Sequence, residues 1–191
     1  MINYPKKFHL DGKKAFVIGG LGLIGREVST AYAMAGAETI VFDLKDEAGK
    51  LFEQEMNKNN FDVSYKLFDS ADMEQIDRNF SVVLEEFGCP DIHINCSYPR
   101  TSDWAASTFK DITTESFRKN VDIHMNSFAW LGRLAAEAMV IKGNGGSIIQ
   151  LGSIYGIVGQ DLTIYEGTEM HENMTYAAIK GGISSLTRLM A

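Results

Sequence analysis

The run A-F-V-I-G-G-L-G-L-I-G, residues Ala15 to Gly25, changes local conformation twice within one short segment. Its apolar opening, Ala15 to Gly19, reads as a buried strand. Glycines then interrupt the side-chain pattern. Helical spacing begins at Leu23 and continues through Ile24, Val28, Ala31, Tyr32 and Ala35, until Gly36 closes the helix. Strand, glycine turn and helix in that order open a β-α-β unit. Gly20, Gly22 and Gly25 satisfy G-x-G-x-x-G, and Gly19, Gly22 and Gly25 satisfy G-x-x-G-x-x-G. In this context glycines permit a tight turn and close backbone approach to a pyrophosphate. The helix start adds free N–H groups and the positive end of its dipole. Gly19, Gly22, Leu23, Ile24 and Gly25 are therefore the candidate phosphate-binding segment. A glycine-rich turn without ligand is the plainer alternative.

The same alternation continues outward. Glu38 to Asp43 reads as a second strand, Asp46 to Lys58 as a polar helix and Val63 to Phe68 as a third strand. Asp72 is placed to cap a helix reaching Phe87, which Gly88-Cys89-Pro90 breaks. Asp91 to Asn95 is a fourth strand, and a polar loop runs to about Thr113. One long helix carries Phe117, Val121, Phe128, Leu131, Leu134 and Met139, and stops at Gly143-Asn144-Gly145-Gly146. Ser147 to Leu151 is a fifth strand, and a second loop leads to a last helix with Met174 to Gly182. Apolar strands alternating with amphipathic helices predict α/β architecture: a doubly wound parallel sheet, Rossmann-like, between two helical layers. Its ligands should bind beyond the carboxyl ends of the strands.

The 191 residues suit one domain. Apolar residues make up 45 % and charged residues 23 %, as in ordinary globular proteins. The net charge of −7, with no basic run longer than Lys-Lys, argues against a nucleic-acid or anionic membrane surface. Cys89 and Cys96 lack metal-ligand spacing, so no metal is expected and both read as reduced thiols of a cytoplasmic protein. No signal-peptide stretch stands at the N-terminus, and no segment approaches the roughly 20 apolar residues of a membrane span.

Asp43 ends the second strand about 20 residues after the glycine loop, where a carboxylate can accept hydrogen bonds from ribose hydroxyls and repel a 2′-phosphate. This favours NAD over NADP. Lys45 close by keeps NADP as the second choice, and a strand-end Asp that merely serves the next turn is the other reading. Tyr176 and Lys180 lie four apart, on one side of a helix. An ammonium near a phenol favours phenolate, so the pair can exchange a proton with an alcohol or carbonyl oxygen. Alone, the spacing equally describes an ordinary surface pair.

With the glycine loop, Asp43, Asp69, Asn95, Ser153, Tyr176 and Lys180 in one order, the chain resembles the short-chain dehydrogenase/reductase family. The resemblance implies that Asp69 meets the adenine, Asn95 supports the cofactor cleft, and Ser153, Tyr176 and Lys180 carry the reaction. The stretches N-C-S-Y-P-R (Asn95 to Arg100), G-S-I-Y-G (Gly152 to Gly156) and I-Y-E-G-T-E-M (Ile164 to Met170) resemble its flagellin-modification protein A type. That likeness implies a sugar or sugar-nucleotide substrate and, for a full-length form, a homodimer or homotetramer.

The chain also departs from the family pattern. Leu23 stands where many relatives have Gly, and the G-x-x-G-x-x-G form also resembles sugar-nucleotide epimerases and dehydratases. Asn-Asn-Ala-Gly is replaced by Asn95-Cys96-Ser97-Tyr98, with larger side chains on the nicotinamide side. Arg100 at the rim is placed to meet a substrate phosphate or carboxylate, or else is a solvated loop residue. His124 takes the place of a helix Asn; it holds a water leading to Lys180, leaves that role to its backbone carbonyl, or is structural. The longer segment before Tyr176, with Tyr155, Tyr165, Glu166, Glu169 and His171, shapes a substrate pocket or is an acidic solvated loop. The family continues beyond the Tyr-bearing helix, so the resemblance implies a C-terminally incomplete chain with an uncovered sheet edge. A nucleotide-binding module without catalysis is the remaining alternative.

Overall fold

The computed structural model describes residues 5–143 and 145–191, so Met1 to Tyr4 and Asn144 of the expected helix stop lie outside the described residues. Five parallel strands form one sheet in the order β3-β2-β1-β4-β5. They are β1 (Lys14–Ile18), β2 (Glu38–Asp43), β3 (Val63–Leu67), β4 (Ile92–Asn95) and β5 (Ser147–Gln150). The order reverses between β1 and β4, and that switch opens a crevice at the carboxyl ends of the strands. Register places Ile18 beside both Phe42 and Asn95, so the segments after β1, β2 and β4 emerge at one level.

Alternation along the strands sorts the core. Phe16, Ile18, Ile40 and Phe42 pack with Phe80 and Val83 of α3 (Ile76–Phe87) and Leu131 and Ala135 of α5 (Ser127–Lys142). Val41 and Val63 meet Ala33 of α1 (Leu23–Met34) and Phe52 and Met56 of α2 (Asp46–Lys58). A smaller cluster joins Phe128 to Ile179 and Ile183 of α6 (Met174–Met190), with Trp104 and Met125 against it. The parallel sheet thus carries helices on both faces.

Two expected elements change. Asp72 does not cap α3; its carboxylate accepts from Gln75 N–H at 3.3 Å and closes a separate turn, and the helix begins at Ile76. The long helix before β5 runs unbroken but is not α-helical throughout. It is α4 (Thr114–Asn120), a π-helical segment (Val121–Asn126) and α5. Thr113 caps α4 through Ser116 N–H at 3.1 Å. The wider i→i+5 turn adds a residue to the helix without disturbing the apolar stripe on either side, and such bulges concentrate at functional sites. This one carries His124.

Candidate active site

Gly19 turns the chain out of β1 with φ of 69°, the left-handed region. A Cβ there would stand 2.6 Å from Ser97 backbone atoms, and a Cβ on Gly25 would collide with the Gly19 carbonyl. The glycine pattern therefore packs the loop against the segment after β4 and against its own helix. Gly22 caps α1 without a side-chain hydrogen bond, leaving first-turn N–H groups for a ligand. Leu23 is 97 % exposed at that turn. We expect Gly19→Ala to destabilise the fold by about 2 kcal/mol or more, because strain and collision add. It should also weaken NADH binding at least tenfold, as measured by urea titration and fluorescence. An unchanged urea midpoint would contradict this account of the turn.

Gly19, Gly22, Leu23, Ile24, Asp43, Asp69, Tyr176 and Lys180 all line one cleft of about 580 Å³. Asp43 accepts from Leu21 N–H at 3.0 Å and Lys45 N–H at 3.3 Å, which fixes its carboxylate beside the glycine loop. Lys45 also lines the cleft. Asp69 is exposed and accepts from Ala71 N–H at 2.8 Å. Gly25 and Asn95 are buried behind the lining. Asn95 Oδ1 accepts from Ser97 N–H at 3.0 Å and from its hydroxyl at 2.6 Å, so Asn95 shapes the loop that faces the cleft. Its Nδ2 has no hydrogen-bond partner among the described residues.

Asn173 caps α6 by accepting from Tyr176 N–H at 2.7 Å. Tyr176 thus sits in the first turn of α6 and lines the cleft. Lys180, one turn later, is 3 % exposed. Its Nζ donates to the Leu151 carbonyl beyond β5 at 2.7 Å. Three rings surround the ammonium, with centroids at 5.1 Å (Phe128), 5.8 Å (Tyr176) and 5.9 Å (Tyr98). Burial pushes the Lys180 ammonium down to about 8. Ser153 begins the turn after β5, and its hydroxyl accepts from Tyr155 N–H at 3.2 Å. Ser153 is partly exposed but is not among the residues that line the cleft.

His124 is fully buried, and neither ring nitrogen has a hydrogen-bond partner among the described residues. Burial, with Lys180 adding to it, pushes the imidazole down to about 3, so the ring is neutral. Its backbone carbonyl accepts from the Ser127 hydroxyl at 2.9 Å. The ring packs 5.0 Å from Tyr98 and 5.4 Å from Phe128, centroid to centroid. Trp104 joins the group at 5.7 Å from the Tyr98 ring and 6.5 Å from the Tyr176 ring. Sequence patterning does not single out Trp104, which sits in an irregular loop with no period to mark it.

The profile of the short chain dehydrogenase family matches residues 13–191. The chain belongs to that family. As a short-chain dehydrogenase, it is 27 % identical over 188 residues to post-translational flagellin modification protein A of Campylobacter coli, covering 95 % of this chain and 71 % of that one. It is 28 % identical over 179 residues to sorbitol dehydrogenase of Cereibacter sphaeroides, covering 94 % of this chain and 63 % of that one. It therefore spans about two thirds of the length of these relatives. A 7α-hydroxysteroid dehydrogenase structure with NADH and 7-oxo glycochenodeoxycholic acid superposes with a TM-score of 0.78 at 26 % identity, covering all of this chain and 68 % of that one.

Among the described residues, no helix of this short-chain dehydrogenase is long and apolar enough to cross a membrane. Tyr155 and Tyr165 of the long loop join hydroxyl to hydroxyl at 2.8 Å. Glu166, Glu169 and His171 are exposed, as an acidic solvated loop would be.

Proposed function

We propose that this chain is an NAD-dependent oxidoreductase. It would transfer a hydride between a nicotinamide cofactor and the alcohol or carbonyl of a sugar or sugar-nucleotide, in the making of surface glycans such as those on flagellin. One observation carries the reading: Tyr176 and Lys180 face the same cleft as the glycine loop and Asp43. The resemblance to flagellin modification protein A and to a polyol dehydrogenase supports the substrate class. Homodimer or homotetramer formation in the cytoplasm belongs to the same proposal. A groove bordered by α5, the edge strand β5 and α6, lined by Trp130, Arg133, Ile148, Gln150, Leu186 and Met190, would be open to a second copy.

The residues fit a dinucleotide. The α1 N-terminus with Gly19 and Gly22 would hold the pyrophosphate, Asp43 the adenosine ribose and Asp69 the adenine side. When bound, the cofactor supplies the carbon that takes or gives the hydride. Proton work falls to the chain. Tyr176 Oη takes a proton from the substrate hydroxyl during oxidation and returns one to the carbonyl oxygen during reduction. The Lys180 ammonium, held by the Leu151 carbonyl and 5.8 Å from the Tyr176 ring centroid, would stabilise the negative charge that develops as the proton moves. Ser153 would donate to the same substrate oxygen and orient it. The Tyr98 and Trp104 rings pack beside the Tyr176 ring and would hold it in place.

Intrinsic-fluorescence titration with NADH and NADPH tests the nucleotide half. NADH should bind at least tenfold more tightly, because Asp43 opposes a 2′-phosphate. Equal or reversed affinities would remove the assignment to NAD. Sugar alcohols should then yield net NADH. A sugar-nucleotide epimerase or dehydratase, the second reading supported by Gly19, Gly22 and Gly25, returns its hydride and yields none.

A further inference from the structure

The segment after β4 carries a cation that the reaction described above does not use. The Arg100 guanidinium lies over the Tyr98 ring, with Cζ 5.5 Å from its centroid. Tyr98 is 43 % exposed and lines the cleft. Its ring centroid is 6.2 Å from that of Tyr176, and Lys180 Nζ lies within 5.9 Å of it. Tyr98 thus touches both the catalytic pair and Arg100; Tyr98 and Pro99 line the cleft, and Arg100 follows them just outside its lining. Trp104 and His124 hold it at its other edges.

The backbone bearing Arg100 is also fixed. Pro99 precedes it and restricts the chain. Thr101 follows it and is pinned to the fully buried Asn120: Asn120 Oδ1 accepts from Thr101 N–H at 2.9 Å, and Nδ2 donates to Thr101 Oγ1 at 2.7 Å. Asn120 further donates to the Ser116 carbonyl at 2.9 Å. A buried amide with both ends engaged ties an otherwise irregular loop to α4. Arg100 itself is exposed, and none of the carboxylates that form ion pairs among the described residues pairs with it. In a chain of net charge −7, this cation is not part of a general basic surface.

We propose that Arg100, stacked on Tyr98, is a specificity-determining residue that binds an anionic group of the substrate, a carboxylate or a phosphate ester, at the mouth of the reaction centre. Stacking leaves the guanidinium edge available for a bidentate contact and lowers the entropy lost when that contact forms. The proposal rests on reading the cleft as a reaction centre. It narrows the substrate from sugar derivatives in general to those that carry a carboxylate or a phosphate.

The test is a Trp-fluorescence titration of the chain, with and without saturating NADH, using D-gluconate, D-glucose 6-phosphate and neutral D-glucitol as probes. Trp104 beside Tyr98 reports occupancy. At least one anionic probe should bind about tenfold more tightly than glucitol. Arg100→Gln should abolish that preference while leaving NADH affinity within about threefold, and Arg100→Lys should restore part of it. Preference for gluconate alone identifies a carboxylate site; preference for the phosphate ester alone identifies a phosphate site; both support the assignment. Equal binding of glucitol, binding of no probe, or a preference that survives Arg100→Gln would overturn it. So would a larger loss of NADH affinity in Arg100→Gln, which would give the residue to the cofactor. Failure of NADH binding in the unmodified chain would instead count against the proposed function, while the cofactor-free arm still decides the role of Arg100.

Discussion

Tyr176→Phe is expected to lower kcat by about 10²- to 10⁴-fold, the range general acid–base groups supply, with NADH affinity changed by less than about threefold. The expectation follows from what the substitution spares. Tyr176 meets its neighbours through its ring, 6.2 Å from Tyr98 and 6.5 Å from Trp104, and its backbone N–H caps to Asn173. Phenylalanine retains all three contacts and removes only the hydroxyl. Lys180 is a less clean probe, because removing its buried ammonium also strips the Leu151 carbonyl of its donor. With Tyr176→Phe, kcat and kcat/KM should fall together, the mark of an interaction made in the transition state. Steady-state kinetics on a sugar alcohol, beside an NADH titration, makes the measurement. A variant keeping more than a tenth of the rate would show that another group moves the proton.

The legible parts of the fold are those with a local physical cause. Glu38–Asp43 and Asp46–Lys58 are found at their expected bounds, because a short apolar run and a period-3.6 pattern meet at a polar break. The glycine loop is legible because positive φ and close packing leave no room for a side chain. The Tyr176–Lys180 pair is legible because one helical turn separates its members. The π-helical turn at Val121–Asn126 is not, since it adds a residue without breaking the apolar stripe. Nor is the tie between Asn120 and Thr101, which joins a helix to an irregular loop through two side-chain hydrogen bonds. The family resemblance gives Asn95 a supporting place at the cofactor cleft; the strand carries it to that level, and its side chain holds the following loop, whose Ser97 lines the cleft. Sequence order marks where a strand ends and leaves the side chain's partner open.

Acid should unfold this chain earlier than its carboxylates alone would dictate. His93, on β4, is fully buried, packs edge-on to Phe80 at 6.3 Å, and has no hydrogen-bond partner among the described residues on either ring nitrogen. Burial pushes it down to about 4, and His124 lies at about 3. An unfolded histidine takes up its proton near 6.5. Between 6.5 and the folded values, the unfolded chain therefore binds more protons. The stability held above pH 6.5 drains away as pH falls toward 4 for His93 and toward 3 for His124. By pH 5 each histidine should cost about 2 kcal/mol, a large share of the 5–15 kcal/mol typical of a domain. Lys180 does not blur this window, because its low value of about 8 changes stability only on the alkaline side. Urea midpoints measured from pH 7 to pH 5 should fall steeply in the unmodified chain and about half as steeply in His93→Leu. Leucine fills the same site between β4 and α3 and has no nitrogen to protonate. If His93→Leu loses as much stability over that interval as the unmodified chain, the buried imidazole on β4 is not a source of acid sensitivity.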